Sequence, residues 1–226
     1  MMPDRSLTRA HLRTPSAAAI AGLLFSLLLI ISYWLLRISV PADPQESGSW
    51  LRASSRTVEL AMNLIPFAGI AFLWFIGVLR DRLGQLEDRF FATVFLGSGL
   101  LFLSMLFLAS AVAGGILIAF VTQPNELIDS ATFHFARATA YAIANIYMIK
   151  VASVFMITTS TIAIYTAIMP RWLAILGYVL ALLLLFGSDY FSWSFLVFPA
   201  WVFLISVCIL LEKFRRPNAA SPSESG

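Results

Sequence analysis

Residues 91–121 read FATVFLGSGLLFLSMLFLASAVAGGILIAFV, a run of 31 positions with no acidic or basic side chain. A hydrocarbon core about 30 Å thick needs roughly 20 apolar residues in a helix, so this stretch predicts a membrane-crossing helix with length to spare. The whole chain agrees. Its 226 residues are 60% hydrophobic and only 12% charged, with a mean hydropathy of +0.87. That is far more apolar than an ordinary soluble domain.

Working outward from this run, five others qualify. Ala17 to Leu36 lies before it, ending in Tyr33 and Trp34 ahead of Arg37, followed by Leu60 to Leu79, which Arg80 closes. After it come Ala138 to Met169, interrupted by Lys150 and ended by Pro170, then Trp172 to Gly187, and Trp193 to Leu211. The last two are separated by a turn around Ser188, Asp189 and Tyr190, so they predict a tight helical hairpin. The expected fold class is therefore all-α, a polytopic integral membrane bundle of six transmembrane helices spanning 17–212. The flanking segments 1–16 and 213–226 are polar and carry Pro and Ser, and are expected to be disordered tails. Arg5, Arg9 and Arg13 precede the first run as they would a signal peptide. Its apolar stretch is longer than a signal core, however, and Ser32 to Arg37 contains no small-x-small cleavage pattern, so it is read as a retained helix.

Orientation follows from Lys and Arg, which short cytoplasmic loops collect. With the N-terminus inside, the cytoplasmic side holds Arg5, Arg9, Arg13, Arg80, Arg82, Arg89, Arg171, Lys213, Arg215 and Arg216. Arg37, Arg52, Arg56 and Arg137 fall outside, ten against four. Both termini are expected to be cytoplasmic, in a bacterial-type cytoplasmic membrane. The same asymmetry accounts for the net charge of +3 without any nucleic-acid partner. The partners this composition implies are the lipid bilayer itself and a second copy or another membrane subunit.

Helix contact in lipid relies on small residues that let backbones approach. Ala136, Ala140 and Ala144 form one such stripe in the fourth run, and Ser110 with Gly114 and Ala111 with Gly115 form another in the third. Both are expected at helix interfaces. The third and fourth runs exceed what the hydrocarbon needs and must tilt, kink or protrude, with Gly114 and Gly115 as the natural break. Pro66 and Pro199 each remove a backbone donor within a run. Residues 38–58 and 122–137 are expected to be external connections.

The segment 145–155, NIYMIKVASVF, puts Lys150 near the middle of the fourth run. A lysine at the centre of a spanning helix costs about 2.5–3.5 kcal/mol on insertion scales, so a partner is required. Thr139, Tyr147, Ser153, Thr161 and Tyr165 share its side of the helix, a polar stripe that should face protein or water. No carboxylate lies deep within a run. The candidate partners are Glu59, Asn63 one turn beyond it, and Asp189, reached by a lysine stem extended toward the surface. These residues predict an outward-facing polar cavity between the second, fourth and fifth or sixth helices, formed by Lys150, Tyr147, Ser153, Asn63, Glu59 and Asp189.

Known catalytic patterns are missing. The two histidines, His11 and His134, lie outside the runs, which excludes a bis-histidine haem within them. The sequence has no HExxH zinc arrangement, no phosphate loop and no nucleophile elbow, since GSG at 97–99 lacks the five-residue pattern. A retinal Schiff base on Lys150 is disfavoured by six runs instead of seven. The single cysteine, Cys208, permits no intramolecular disulfide. No catalytic residue, cofactor or metal is assigned. The sequence leans toward binding or transport of a small polar or anionic solute around Lys150. The alternative is a non-catalytic structural or regulatory subunit in which Lys150 is a buried hydrogen-bond or ion-pair residue.

Overall fold

The computed structural model describes residues 14–41, 43, 46–83, 89–128, 130–166, 170–187 and 193–215. Every regular element among them is helical. Helix α1 covers Thr14–Ser39 and α2 Leu51–Leu83, the latter entered through a single 3₁₀ turn, Gly48–Trp50. Then come α3, Arg89–Thr122, and the single turn α4, Pro124–Leu127. Next, α5, Ala131–Ala142, runs through a π turn at Ile143–Tyr147 into α6, Met148–Thr166. Helices α7, Arg171–Gly187, and α8, Ser194–Arg215, complete the chain.

Among the described residues, α1, α2, α3, the continuous α5–α6 rod and α8 are long and apolar enough to cross a membrane. Helix α7 is apolar too but has only 17 residues, about 25 Å at the α-helical rise, so it is the short member of the set.

Helices α1, α2, α3, α6 and α8 close a ring through neighbouring contacts, and α7 packs onto α6 at its edge. Each ring helix contributes one phenylalanine to a common centre: Phe25, Phe72, Phe102, Phe155 and Phe198, all buried. Their rings meet at centroid distances from 4.5 Å (Phe25 to Phe72) to 6.3 Å (Phe25 to Phe102), mostly tilted or edge-on. These are the arrangements that the aromatic quadrupole favours. Because hydrophobic exclusion does not drive association in lipid, such interlocking supplies the contact energy.

The ring helices extend unequally beyond this hub. Towards the end that carries Trp50, α2 continues from Phe72 to Leu51, about 31 Å, and α3 from Phe102 to Thr122, about 30 Å. Helix α8 continues only from Phe198 to Ser194, about 6 Å. Its first residues stack beside α1, with Tyr33 against Phe195 at 5.3 Å and Trp34 against Trp193 at 6.4 Å.

Several expectations need correction. The expected external connection 38–58 is helical from Leu51, and 122–137 contains α4 and the start of α5. The fourth run begins at Ala131, seven residues earlier than expected, whereas the apolar span of α1 starts at Ala17 and that of α8 ends at Leu211, as expected. Helix α3 is unbroken at Gly114 and Gly115, and a Cβ at either would meet nothing within 4 Å. Those glycines therefore face open space instead of a helix interface. The irregularity falls in the fourth run, as the π turn. The expected turn at 188–190 lies outside the described residues.

The closest backbone approaches are at glycines the sequence did not single out. Ser206 Oγ of α8 occupies the place a Cβ on Gly22 of α1 would take, with the Phe75 ring beside it. Ser160 Oγ of α6 does the same at Gly177 of α7, with Trp201 Nε1 at 2.9 Å from that position. We predict that Gly177→Ala lowers thermal stability in nanodiscs by about 1–3 kcal/mol, the usual range for overpacking. Gly114→Ala should be neutral or slightly stabilising, since removing a helix glycine gains about 0.5–1 kcal/mol where space is free. Equal melting temperatures for the two variants would contradict this packing.

Candidate functional site

Lys150 Nζ donates a 2.8 Å hydrogen bond to the carbonyl oxygen of Leu185. Leu185 lies in the last turn of α7, where carbonyls have no partner further along the helix and carry the negative end of the macrodipole. The lysine therefore caps a helix C-terminus. The middle of a sequence run need not be the middle of a bundle. Lys150 stands about 24 Å from the Thr166 end of α6, level with the finish of α7, while the α5–α6 rod continues about 28 Å beyond it.

Other polar groups of the same face join the two helices. Thr161 Oγ1 and Tyr178 Oη share a 2.6 Å hydrogen bond, and Thr161 Oγ1 also reaches the Ile157 carbonyl at 2.8 Å. Ser153 is buried and donates to the Lys150 carbonyl at 2.6 Å. The remaining candidates lie apart. Tyr147 is 60% exposed, and Glu59 and Asn63 are exposed on α2. Asp189 is outside the described residues.

A cavity of about 210 Å³ lies elsewhere, above the aromatic hub among α1, α2, α3 and the α5–α6 rod. None of the five described candidates lines it, and no described residue of α7 or α8 contributes to it. It lies on the side of the hub where α8 begins one turn away and four neighbours continue. Ile65, Leu106 and Met148 line the hub end, and Ala113, Leu117 and Ala140 line the wall between α3 and α5. The expected alanine stripe thus contributes Ala140 and Ala144 to a cavity wall.

Arg137 closes the far end and is itself buried. Its guanidinium donates to the carbonyls of Glu46, Pro41 (3.0 Å) and Asp43 (2.6 Å), and it lies 5.6 Å over the Trp50 ring. The loop before α2 is thereby pulled over the cavity. The amide of Gly48 reinforces it with a 3.0 Å bond to the Ile128 carbonyl, and Arg52 Nη2 reaches Asn125 Oδ1 at 2.8 Å. The sequence reading placed Arg137 among the outer charges and assigned it no role. Its signal was position: a lone cation entering an apolar run, opposite a loop rich in carbonyls that no regular structure uses.

Two hydroxyls in the cavity wall have only thioether acceptors. Tyr33 Oη points to Met148 Sδ at 3.9 Å, and Ser110 Oγ to Met62 Sδ at 3.6 Å. All four residues line the cavity. Trp50, another lining residue, keeps its indole N–H buried without an acceptor. Among the described residues no group of three His, Cys, Asp or Glu side chains is placed to hold a metal. Comparison with protein-family models, with curated proteins and with solved structures finds no match for the chain.

Two outcomes are expected. Lys150→Met removes a charged hydrogen bond between α6 and α7, so it should destabilise by about 1.5–3 kcal/mol, read as melting temperature in nanodiscs. An unchanged value would show that the cap contributes nothing. Arg137→Met should release the loop before α2, seen as faster amide exchange at residues 46–50, with the hub unaffected. Unaltered protection there would show that other contacts hold the loop.

Proposed function

We propose that this chain is a multi-pass integral membrane protein that holds a small lipophilic molecule in the chamber above its aromatic hub. The observation that carries the reading is the chamber: about 210 Å³, bounded almost entirely by apolar side chains. Protein interiors pack with few voids larger than a water molecule. An apolar occupant would gain packing contacts with these walls that the unfilled space lacks.

The same reading takes α7 as a short sixth crossing and sets both termini on the cytoplasmic side of a bacterial-type cytoplasmic membrane, as the ten-to-four distribution of Lys and Arg favours. The chamber then opens toward the outer leaflet. Access runs beside α3, the least buried of the long helices, whose Gly114 and Gly115 leave that flank open. Five interlocked phenylalanines block passage through the ring below. That favours a binding protein or subunit over an open channel.

The chamber supports a lipophilic ligand better than Lys150 supports a polar or anionic one. The ammonium already donates to Leu185, and Tyr147, Asn63 and Glu59 diverge from it. The Lys150 to Leu185 bond favours the structural role for that residue.

The test is binding of butylbenzene to the protein in nanodiscs, read as a rise in melting temperature with ligand concentration. Ala140→Phe, which places a ring in the chamber, should abolish the rise while keeping or increasing the stability of the free protein. Absence of any shift in the wild type would sink the proposal.

A further inference from the structure

We infer that the chamber's ligand is a neutral lipophilic carbonyl compound, held through its oxygen by the hydroxyls of Tyr33 and Ser110. This rests on the chamber being a binding site and adds the chemistry of what it takes.

The argument begins with the inventory of polar atoms in the wall. Tyr33 and Ser110 each offer a hydroxyl hydrogen, and each finds only a methionine sulphur, at 3.9 and 3.6 Å. A thioether is a weak acceptor. Both residues are half-buried in an apolar wall, where a donor without a good acceptor is poorly satisfied, and a carbonyl oxygen in the chamber would supply a better partner. Ser110 had another option available. Ser98, Ser104 and Thr122 on the same helix all bond the carbonyl four residues back, whereas the bond of Ser110 leaves its own helix for Met62 on α2.

The wall is also matched to a neutral molecule. Arg137, its one charged residue, spends its guanidinium on three loop carbonyls and the face of Trp50, and no carboxylate lines the space. A cationic ligand would be buried without a counter-ion, at a cost of several kcal/mol, and the charge of Arg137 is already met by Glu46 and Asp43. Side-chain acceptors other than hydroxyl and thioether are missing from the lining. The wall therefore favours a ligand that accepts hydrogen bonds over one that must donate them.

Size narrows the class. An apolar cavity of about 150 Å³ holds benzene, so 210 Å³ accommodates one substituted ring or the end of an acyl chain, and not an intact phospholipid. Met62 and Met148 act as movable fillers, since an unbranched thioether changes rotamer easily and can yield the hydroxyl to an incoming oxygen. Two sources supply this chemistry in a membrane: a quinone ring and a fatty-acyl ester.

The experiment titrates full-length protein in nanodiscs with three probes: a short-chain dimethoxybenzoquinone, methyl octanoate, and butylbenzene, which has no oxygen. Wild type, Ser110→Ala and Tyr33→Phe are compared, each first shown to melt cooperatively. The two variants touch different helices, so failure of one to fold leaves the other informative. The expected result is that one carbonyl probe binds more tightly than butylbenzene and loses about 3–10-fold in each variant, while butylbenzene changes less than about twofold. Whether the quinone or the ester is favoured identifies the source. If all three probes bind and neither variant alters the carbonyl probes selectively, the hydroxyls do not hold the ligand, and the chamber stands as a purely apolar site. If nothing binds, including butylbenzene, the binding reading itself falls, and this inference with it.

Discussion

Helices of unequal length share one core, and most of what is particular to this molecule follows from that mismatch. A bundle in lipid must satisfy every backbone polar group internally, because no water is present to accept the bonds it leaves. Five ring helices meet at the phenylalanine hub, yet α8 stops about 6 Å beyond it while α2 and α3 run on for about 30 Å. A short helix among longer ones leaves unpaired backbone groups at its terminus, and the longer helices enclose space above the hub. Lys150 answers the first at the end of α7. The chamber above the hub is the second.

The polar residues of the bundle divide along the same line. Most hydroxyls fold back on their own helices: Ser26 to Gly22, Ser32 to Leu28, Thr158 to Val154, Thr159 to Phe155 and Ser206 to Val202, all at 2.7–2.9 Å. Such bonds neutralise the hydroxyl in place and ask nothing of a neighbour. The exceptions carry the information. Thr161 with Tyr178 and Lys150 with Leu185 bind α7 to α6. Tyr33 and Ser110 reach across the chamber wall and find sulphur.

Arg137 links the connection between α1 and α2 to the interior. A buried guanidinium needs several acceptors in a fixed fork, and three carbonyls of one loop supply them. The loop gains a fixed path and the chamber gains a cover. The π turn at Ile143–Tyr147 lies between Arg137 and Lys150, and a π turn inserts one extra residue into the helical repeat. The sequence could not reveal it. Its five residues, IANIY, contain no Gly or Pro to mark a break, and the side chain of Asn145 bonds back to the Tyr141 carbonyl at 3.1 Å.

The class of protein was legible from composition because burying apolar surface is a local and additive property. Long uncharged runs became helices, and their approximate positions held. Some ends did not. Leu51 and Ala131 start helices inside what read as polar connections, since a helix continues wherever its backbone bonds remain better made than broken. The small-residue stripes misled for a related reason. Spacing shows that Gly114 and Gly115 permit close approach, but whether a neighbour is present depends on how the other helices are arranged around α3.

Lys150 shows the boundary most clearly. One intramembrane cation in an apolar run implies a buried partner whatever the fold. The partner is a backbone carbonyl of Leu185, 35 residues away and invisible to any search for side-chain charges. The sequence alone determined an apolar, helical, membrane-type chain with a lysine in need of an acceptor. Tertiary structure decided which acceptor, which glycines carry contacts and where the cavity lies. Hydrophobicity is counted residue by residue along the chain, whereas hydrogen-bond satisfaction and void space depend on where neighbouring helices end.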